Sequence, residues 1–489
     1  MKPCRGTDCA SHLIFTKINY MSSPQLARSL GLRLVIVFVV ANILGSGVYK
    51  KVAPMAAELH SSGWVLAAWL LGGIISLFGA LSYAEVAGML AGTGGDYVYY
   101  QKIYNKFFAF QFGWSTFTII QTGAISSLAY VFAQSLHSIA DLPPMLASLA
   151  DYNIRGIFYP FKDFNVKITA IALIILLTWI NSRGLKTGAW LGTAILLLVL
   201  AGIGTIIIFG LTSPEANISQ AFSFKTTNEQ PVTFTAMFTA MLAAFWAYQG
   251  WASVGFIGGE AKNANRNIPA GIAIGCFIVI GLYLLVNTAY LSLLPVQALE
   301  KINASENTVA AIEAVKVFWG RSGEVFIAVL ILITTLGCNH ATIITSSRIY
   351  YAMAKENLFF SRVARLNRHA VPANSLLLQC IWASVLVLSG TFDQLTNMII
   401  FAVFAFYGAT ALGVFILRKK MPGAQRTYKV WGYPVVPAIV ILFSAALFIN
   451  TIIAKPREAG IGLALMLTGV PMWYYFKRAA QVRNRNLKP

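Results

Sequence analysis

The stretch Val37–Gly63, VFVVANILGSGVYKKVAPMAAELHSSG, restricts the fold more than any other part of the chain. A helical apolar pattern runs from Leu34 to Leu44, stops at Gly45-Ser46-Gly47 and resumes through Val48–Leu59. About 20 apolar residues cross a bilayer as one helix, so the segment is long enough to span. Glycines at its centre weaken the helix there. A break leaves backbone N–H and C=O groups without intrahelical partners. In a membrane such groups survive only where protein buries them or a wet cavity solvates them. The amides of Gly45, Ser46 and Gly47 would then open the second half-helix, where the dipole is positive and suits a carboxylate. A Gly-Ser packing kink gives the same local pattern, so the rest of the chain has to discriminate.

The residues are 57% hydrophobic and only 11% charged, against roughly 25% charged in soluble domains. Such a chain is a polytopic membrane protein. Its net charge of +20 sits in short loops between apolar spans, which argues against a nucleic-acid partner. Cys4, Cys9, Cys276, Cys338 and Cys380 show neither metal-ligand spacing nor a disulfide framework, so no metal or cofactor is expected. No cleavable signal pattern opens the chain. Residues 1–20 are polar and unpatterned, and Met21 leads straight into the first span, so Met21 is a candidate true start.

Hydropathy predicts twelve spans: 33–59, 64–91, 107–138, 165–182, 187–211, 232–259, 268–294, 322–351, 374–391, 395–417, 435–454 and 459–476. Residues 1–32 form an N-terminal segment, 33–476 one membrane domain and 477–489 a basic tail. With both termini inside, 26 of the 37 Lys and Arg residues fall on the inner side. The location is a cell membrane, the inner one if the source is bacterial.

Span 6 is the second interrupted helix. Its apolar run reaches Trp246, meets Tyr248-Gln249-Gly250, and continues briefly to Gly258-Gly259-Glu260. Breaks in spans 1 and 6 fall at corresponding places if 33–211 and 232–417 are repeats of five helices. Because five is odd, the second repeat is inverted, and paired interruptions in inverted repeats point to a binding site. The expected fold is an all-α membrane protein of twelve transmembrane helices. It has a five-plus-five inverted repeat with broken helices 1 and 6, and two extra helices at 435–476.

Several motifs accompany the breaks: Ser82-Tyr83-Ala84-Glu85, Gly94-Gly95-Asp96-Tyr97, Asn267-Ile268-Pro269, the run Ser347–Ala354 and the run Tyr428–Pro434. In this order the chain resembles the amino acid/polyamine/organocation superfamily, and within it the L-type amino acid transporter branch with its bacterial serine/threonine-type exchangers. The resemblance runs from about Leu30 to the end of span 12. It implies a secondary transporter that moves an amino acid by alternating access, through exchange or ion-coupled symport. It places the substrate carboxylate on the amides of Gly45, Ser46 and Gly47. The α-ammonium would meet carbonyls among Ile43, Trp246, Ala247 and Gln249, beside Gly250, with Trp246 or Tyr248 as a lid. Two antiparallel broken helices can hold a zwitterion in this way without a buried charged side chain.

One departure stands out. Many L-type members carry a lysine midway along helix 5, whereas here Leu198 or Val199 falls at that place. A sodium-linked version could use hydroxyls such as Thr345 and Ser346; these more often bond their own helix carbonyls. The coupling ion, proton or sodium, stays open. L-type heteromers pair through a cysteine in the loop after span 3; residues 139–164 contain none, so no disulfide-linked subunit is expected.

Intramembrane polar residues are functional candidates. Lys50, Gln121, His340, Thr342 and Tyr407 are candidates for the pocket or gate, with Lys51 beside Lys50. Glu85 and Glu260 read as structural groups, pairing with loop Lys or Arg or capping a helix end. No acidic residue is expected near either break, which favours a neutral substrate over a cationic one; Lys50 and Lys51 keep acidic substrates open. An embedded enzyme would need convergent His, Asp, Glu or Cys groups that the spans do not offer. A sensor that binds without flux is the remaining alternative.

Overall fold

The apolar runs fold as helices, and the computed structural model describes residues 28–140, 143–153, 159–304, 309–389, 392–454 and 456–485. The first break separates α1 (Leu32–Ile43) from α2 (Gly47–Lys50) and α3 (Val52–Leu59). Next come α4 (Ser62–Met89), α5 (Asp96–Ile103), α6 (Lys106–Ser115), α7 (Gln121–Ile139), α8 (Phe164–Asn181), α9 (Leu185–Thr212) and α10 (Ile218–Ala221). The second half holds α11 (Phe234–Tyr248), α12 (Ala264–Leu293), α13 (Val296–Ala304), α14 (Ala310–Lys355) and α15 (Ala373–Ser389). It closes with α16 (Phe392–Lys420), α17 (Val435–Ala454), α18 (Pro456–Leu467) and α19 (Gly469–Arg485). Among the described residues there is no strand beyond two isolated bridges, Leu30 with Ala261 and Thr93 with Ile257. The expectations for residues 1–20, Cys4 and Cys9 lie outside the described residues.

Nine helical stretches among the described residues are long and apolar enough to cross a membrane. The three remaining predicted spans fall short for physical reasons. Spans 1 and 6 are split, leaving α1 with 12 residues and α11 with 15, and α15 has 17. The eighth span is longer than predicted, because α14 runs 46 residues across a kink at Gly320, whose φ is 57°. Within the third span a π-helical turn, Thr116–Ile120, separates α6 from α7.

Helices α12 and α4 pack face to face, as do α14 and α7, and α1 lies against α12. Small residues allow the close approaches. Gly275 faces Val39, and Gly88 faces Pro269. Two buried glutamates fasten the end of the bundle where the described chain begins. Glu260 takes Arg348 Nε at 2.7 Å, and its backbone carbonyl accepts from the amides of Ser29 and Leu30 at 3.0 Å each. Glu85 takes Arg418 at 2.7 Å, Arg426 at 3.4 Å and the Val430 amide at 2.7 Å. Both glutamates are thus paired structural groups, although Arg348 and Arg418 come from α14 and α16 rather than from loops, and Arg426 from the segment after α16.

Candidate functional site

The first break is a change of backbone course at Leu44, whose ψ of 96° ends α1. Its amide still closes the last turn on Val40 O at 2.8 Å. Gly45 and Ser46 carry the chain into α2, so their amides and that of Gly47 precede any turn that could accept from them. Ser46 Oγ is buried and has no hydrogen-bond partner among the described residues. An orphaned buried hydroxyl costs roughly 1–3 kcal/mol, which makes this a notable place to keep one.

The second break is at Gly250, where φ reaches +124° and α11 gives way to a 3-10 helix, Trp251–Phe256. The two breaks cross in contact. A Cβ added at Gly47 would stand 2.6 Å from Ala247 Cβ, and one added at Gly250 would stand 2.6 Å from the Asn42 carbonyl carbon. Each glycine therefore admits the other helix's backbone.

A cavity lies at this crossing, with about 80 Å³ open to the centre of a water molecule. Ile43, Gly45, Ser46 and Gly47 line it from the first break, and Trp246, Ala247, Gln249 and Gly250 from the second. Gln121, Thr342 and Tyr407 line it from the surrounding helices. Gln121 Nε2 donates to Ser253 Oγ at 3.4 Å, and the Tyr407 ring stacks on Trp251 at 4.5 Å.

Other expected residues lie elsewhere. Tyr248 turns away from this cavity: its hydroxyl donates to Trp69 O at 3.2 Å and its ring packs on Trp69 and Tyr283. Trp246 is therefore the aromatic of that pair that faces the cavity. His340 is fully buried against Gly192 of α9 and is absent from the cavity wall. Lys50 ends α2, half-buried and off that wall. On α9, Leu198 is 58% exposed and faces outward, so Val199, which is buried, holds the inward position. Thr345 Oγ1 donates to Ala341 O, and Ser346 Oγ contacts Thr342 O and Gln379 Oε1. These hydroxyls are spent on protein groups.

Two groups at the crossing were not among the sequence's candidates. Tyr283, on α12, places its hydroxyl 3.1 Å from both Ile43 O, the last of α1, and Ala247 O, in the last turn of α11. Asp96, at the start of α5, lines the cavity. The expectation that no acidic residue approaches the breaks is thus corrected: the acid arrives from a loop helix remote in sequence. Tyr83 donates to Asp96 Oδ2 at 3.0 Å and Thr410 to Oδ1 at 3.3 Å. Burial pushes the Asp96 carboxyl up to about 7, against the pull of these two hydrogen bonds. The Gly94-Gly95 pair was the available signal, since positive φ at both turns the chain inward just before Asp96.

An all-helical membrane bundle with two broken helices crossing at a cavity has the architecture of a small-molecule permease. The amino acid permease family model matches residues 30–476, and the chain belongs to that family. It is 29% identical to the serine/threonine exchanger SteT of Bacillus subtilis, over 93% of this chain and 98% of that one. It is 28% identical to the human Asc-type amino acid transporter 1, over 92% and 82% of the two chains. The human b(0,+)-type amino acid transporter 1 is 25% identical, over 93% and 88%.

Proposed function

We propose that this protein carries a neutral amino acid across a cell membrane by alternating access, as an exchanger or an ion-coupled symporter. The observation that carries the reading is the unpartnered Ser46 hydroxyl beside the amides of the first break, in a cavity that both broken helices line. In this reading the carboxylate lies on Gly45, Ser46 and Gly47. The ammonium takes lone pairs on the Ile43 and Ala247 carbonyls, which also share the single hydroxyl hydrogen of Tyr283. Tyr283 so stands between the two cation-binding carbonyls.

The finer architecture belongs to the same proposal. It has twelve spans, with the split helices and α15 completing the nine longer ones. Repeats cover 33–211 and 232–417, and both termini are cytoplasmic. Alternating access then amounts to the short halves of helices 1 and 6 moving about the cavity. Among the described residues that line the cavity Asp96 is the single acidic group, and it already takes hydrogen bonds from Tyr83 and Thr410, so a neutral side chain is kept in this reading.

A thermal-shift screen of the purified protein against the twenty amino acids tests the reading, since a ligand of the folded state stabilises it by mass action. Stabilisation by several neutral amino acids, followed by their exchange in liposomes, is the expected result. Stabilisation by arginine or lysine alone overturns the substrate class. Binding without flux turns the carrier into a sensor.

A further inference from the structure

Around Asp96 the hydroxyl hydrogens are fewer than the hydrogen bonds they serve. Tyr83 Oη stands 3.0 Å from both Asp96 Oδ2 and Ala252 O. Thr410 Oγ1 stands 3.3 Å from Asp96 Oδ1, 2.6 Å from Tyr100 Oη and 3.2 Å from Phe406 O. Tyr100 Oη is also 2.8 Å from Phe406 O. Three hydrogens therefore face six donor–acceptor pairs. With Asp96 ionised, Tyr83 gives its single hydrogen either to the carboxylate or to Ala252. Ala252 belongs to the 3-10 half of the second broken helix, so that choice decides how firmly the half is held. A hydrogen on Asp96 removes the conflict. The carboxylic O–H donates to Tyr83 Oη, and Tyr83 donates on to Ala252 O.

Among the described residues no cation replaces that hydrogen. The titratable groups beside Asp96 are the phenols of Tyr83 on α4, Tyr99 and Tyr100 on α5, and Tyr407 on α16. Arg348, on the neighbouring α14, is bonded to Glu260, and Arg418 on α16 to Glu85. Glu356, at the end of α14, accepts from Tyr97 and Gln101. Lys102, Lys106 and Lys355 are exposed.

We propose that Asp96 is a proton-binding site, and that its proton keeps the 3-10 half of the second broken helix docked on α4. Release of the proton loosens this side of the cavity. The inference rests on the carrier reading above. When the 3-10 half moves away, Tyr83 is free to donate to the carboxylate, and the proton is held less tightly. By linkage, the proton in turn favours the docked form.

The test uses the full chain. Infrared titration of the wild type minus Asp96→Asn isolates the carboxylic C=O band of this one group. The band is expected at pH 5 and lost on titration above neutrality. Amino acid exchange in liposomes is then measured between pH 6 and 8, where occupancy of a site titrating near neutrality changes about tenfold. Wild-type exchange should change several-fold while Asp96→Asn stays flat. Tyr83→Phe keeps the ring and removes the hydroxyl; its titration midpoint should move to higher pH, whereas a merely structural role would leave the midpoint in place. A difference spectrum without the band, or coincident pH profiles for wild type and Asp96→Asn, overturns the proposal. If the Asn variant does not fold, an unmoved Tyr83→Phe midpoint does so. Absence of exchange at every pH in the wild type defeats the carrier reading, and the infrared arm still decides the proton site.

Discussion

Gly250 of the second broken helix rests on the Asn42 carbonyl at the end of the first, so close that a Cβ would overlap its oxygen and stand 2.6 Å from its carbon. Gly47 and Ala247 make the complementary contact. The crossing that forms the cavity is thus a backbone-to-backbone packing, and its tolerance for added atoms is small.

Gly250→Ala should be severely disruptive. Strain at a φ of +124° adds to the overlap with Asn42, and each effect costs roughly 1–3 kcal/mol. Gly47→Ala should cost exchange activity too, since its Cβ would stand 2.7 Å from the Ala247 Cα as well as 2.6 Å from its Cβ. Wild-type melting temperature and flux in Gly250→Ala would show that the breaks do not touch in the working protein.

Ser46→Ala separates a ligand contact from a structural one. The hydroxyl has no partner to lose, so stability should hold or rise by about 1 kcal/mol. Substrate affinity measured by calorimetry should fall. A drop in stability with unchanged affinity removes the hydroxyl from the site.

Tyr283→Phe keeps the ring packed on Trp69 and Tyr248 and removes the hydroxyl shared by Ile43 O and Ala247 O. The loss should be about 1 kcal/mol in stability, with a larger effect on the affinity for the ammonium end of the substrate. Comparing an amino acid with its deaminated analogue reads this out. An equal loss for both would tie Tyr283 to folding alone.

Arg348→Gln or Glu260→Gln strands a buried partner, each side chain being only 2% exposed. Each single change should cost about 3–5 kcal/mol. Changing both together should cost less than the sum of the two, by denaturation of the detergent-solubilised protein. Additive losses would mean the pair is not coupled.

Asp96 gives stability a pH dependence with a defined sign. Its folded-state value of about 7 lies above the ordinary 3.8, so folding binds its proton more tightly. The associated stability is present in full below about pH 4 and is lost as pH rises through about 7. The melting temperature should therefore fall from pH 5 to pH 8 in the wild type, and fall less in Asp96→Asn. Parallel curves would place the titration elsewhere.

The two breaks were legible because Gly45-Ser46-Gly47 and Gly250 interrupt apolar runs that otherwise demand helix. Glu85 and Glu260 read correctly as structural because a charge in an apolar span needs a partner, and the chain supplies arginines. Rotation about the helix axes was not legible. A helix that is apolar all round carries no phase from which to read its inward face. Tyr248 and His340 were thus placed at the site when they face neighbouring helices, and Leu198 stood level with Val199 until one proved exposed.

By itself the sequence determined the membrane setting, the succession of helices and the two points where they break. Those properties follow from local chemistry: apolar length, glycine, and the backbone's need for hydrogen bonds. Only the tertiary structure decided that Tyr283 ties the ends of both broken helices together and that Asp96 enters the cavity wall. Each depends on residues 36 to 314 positions apart meeting across the bundle, and the angle at which apolar helices pack carries no signature along the chain.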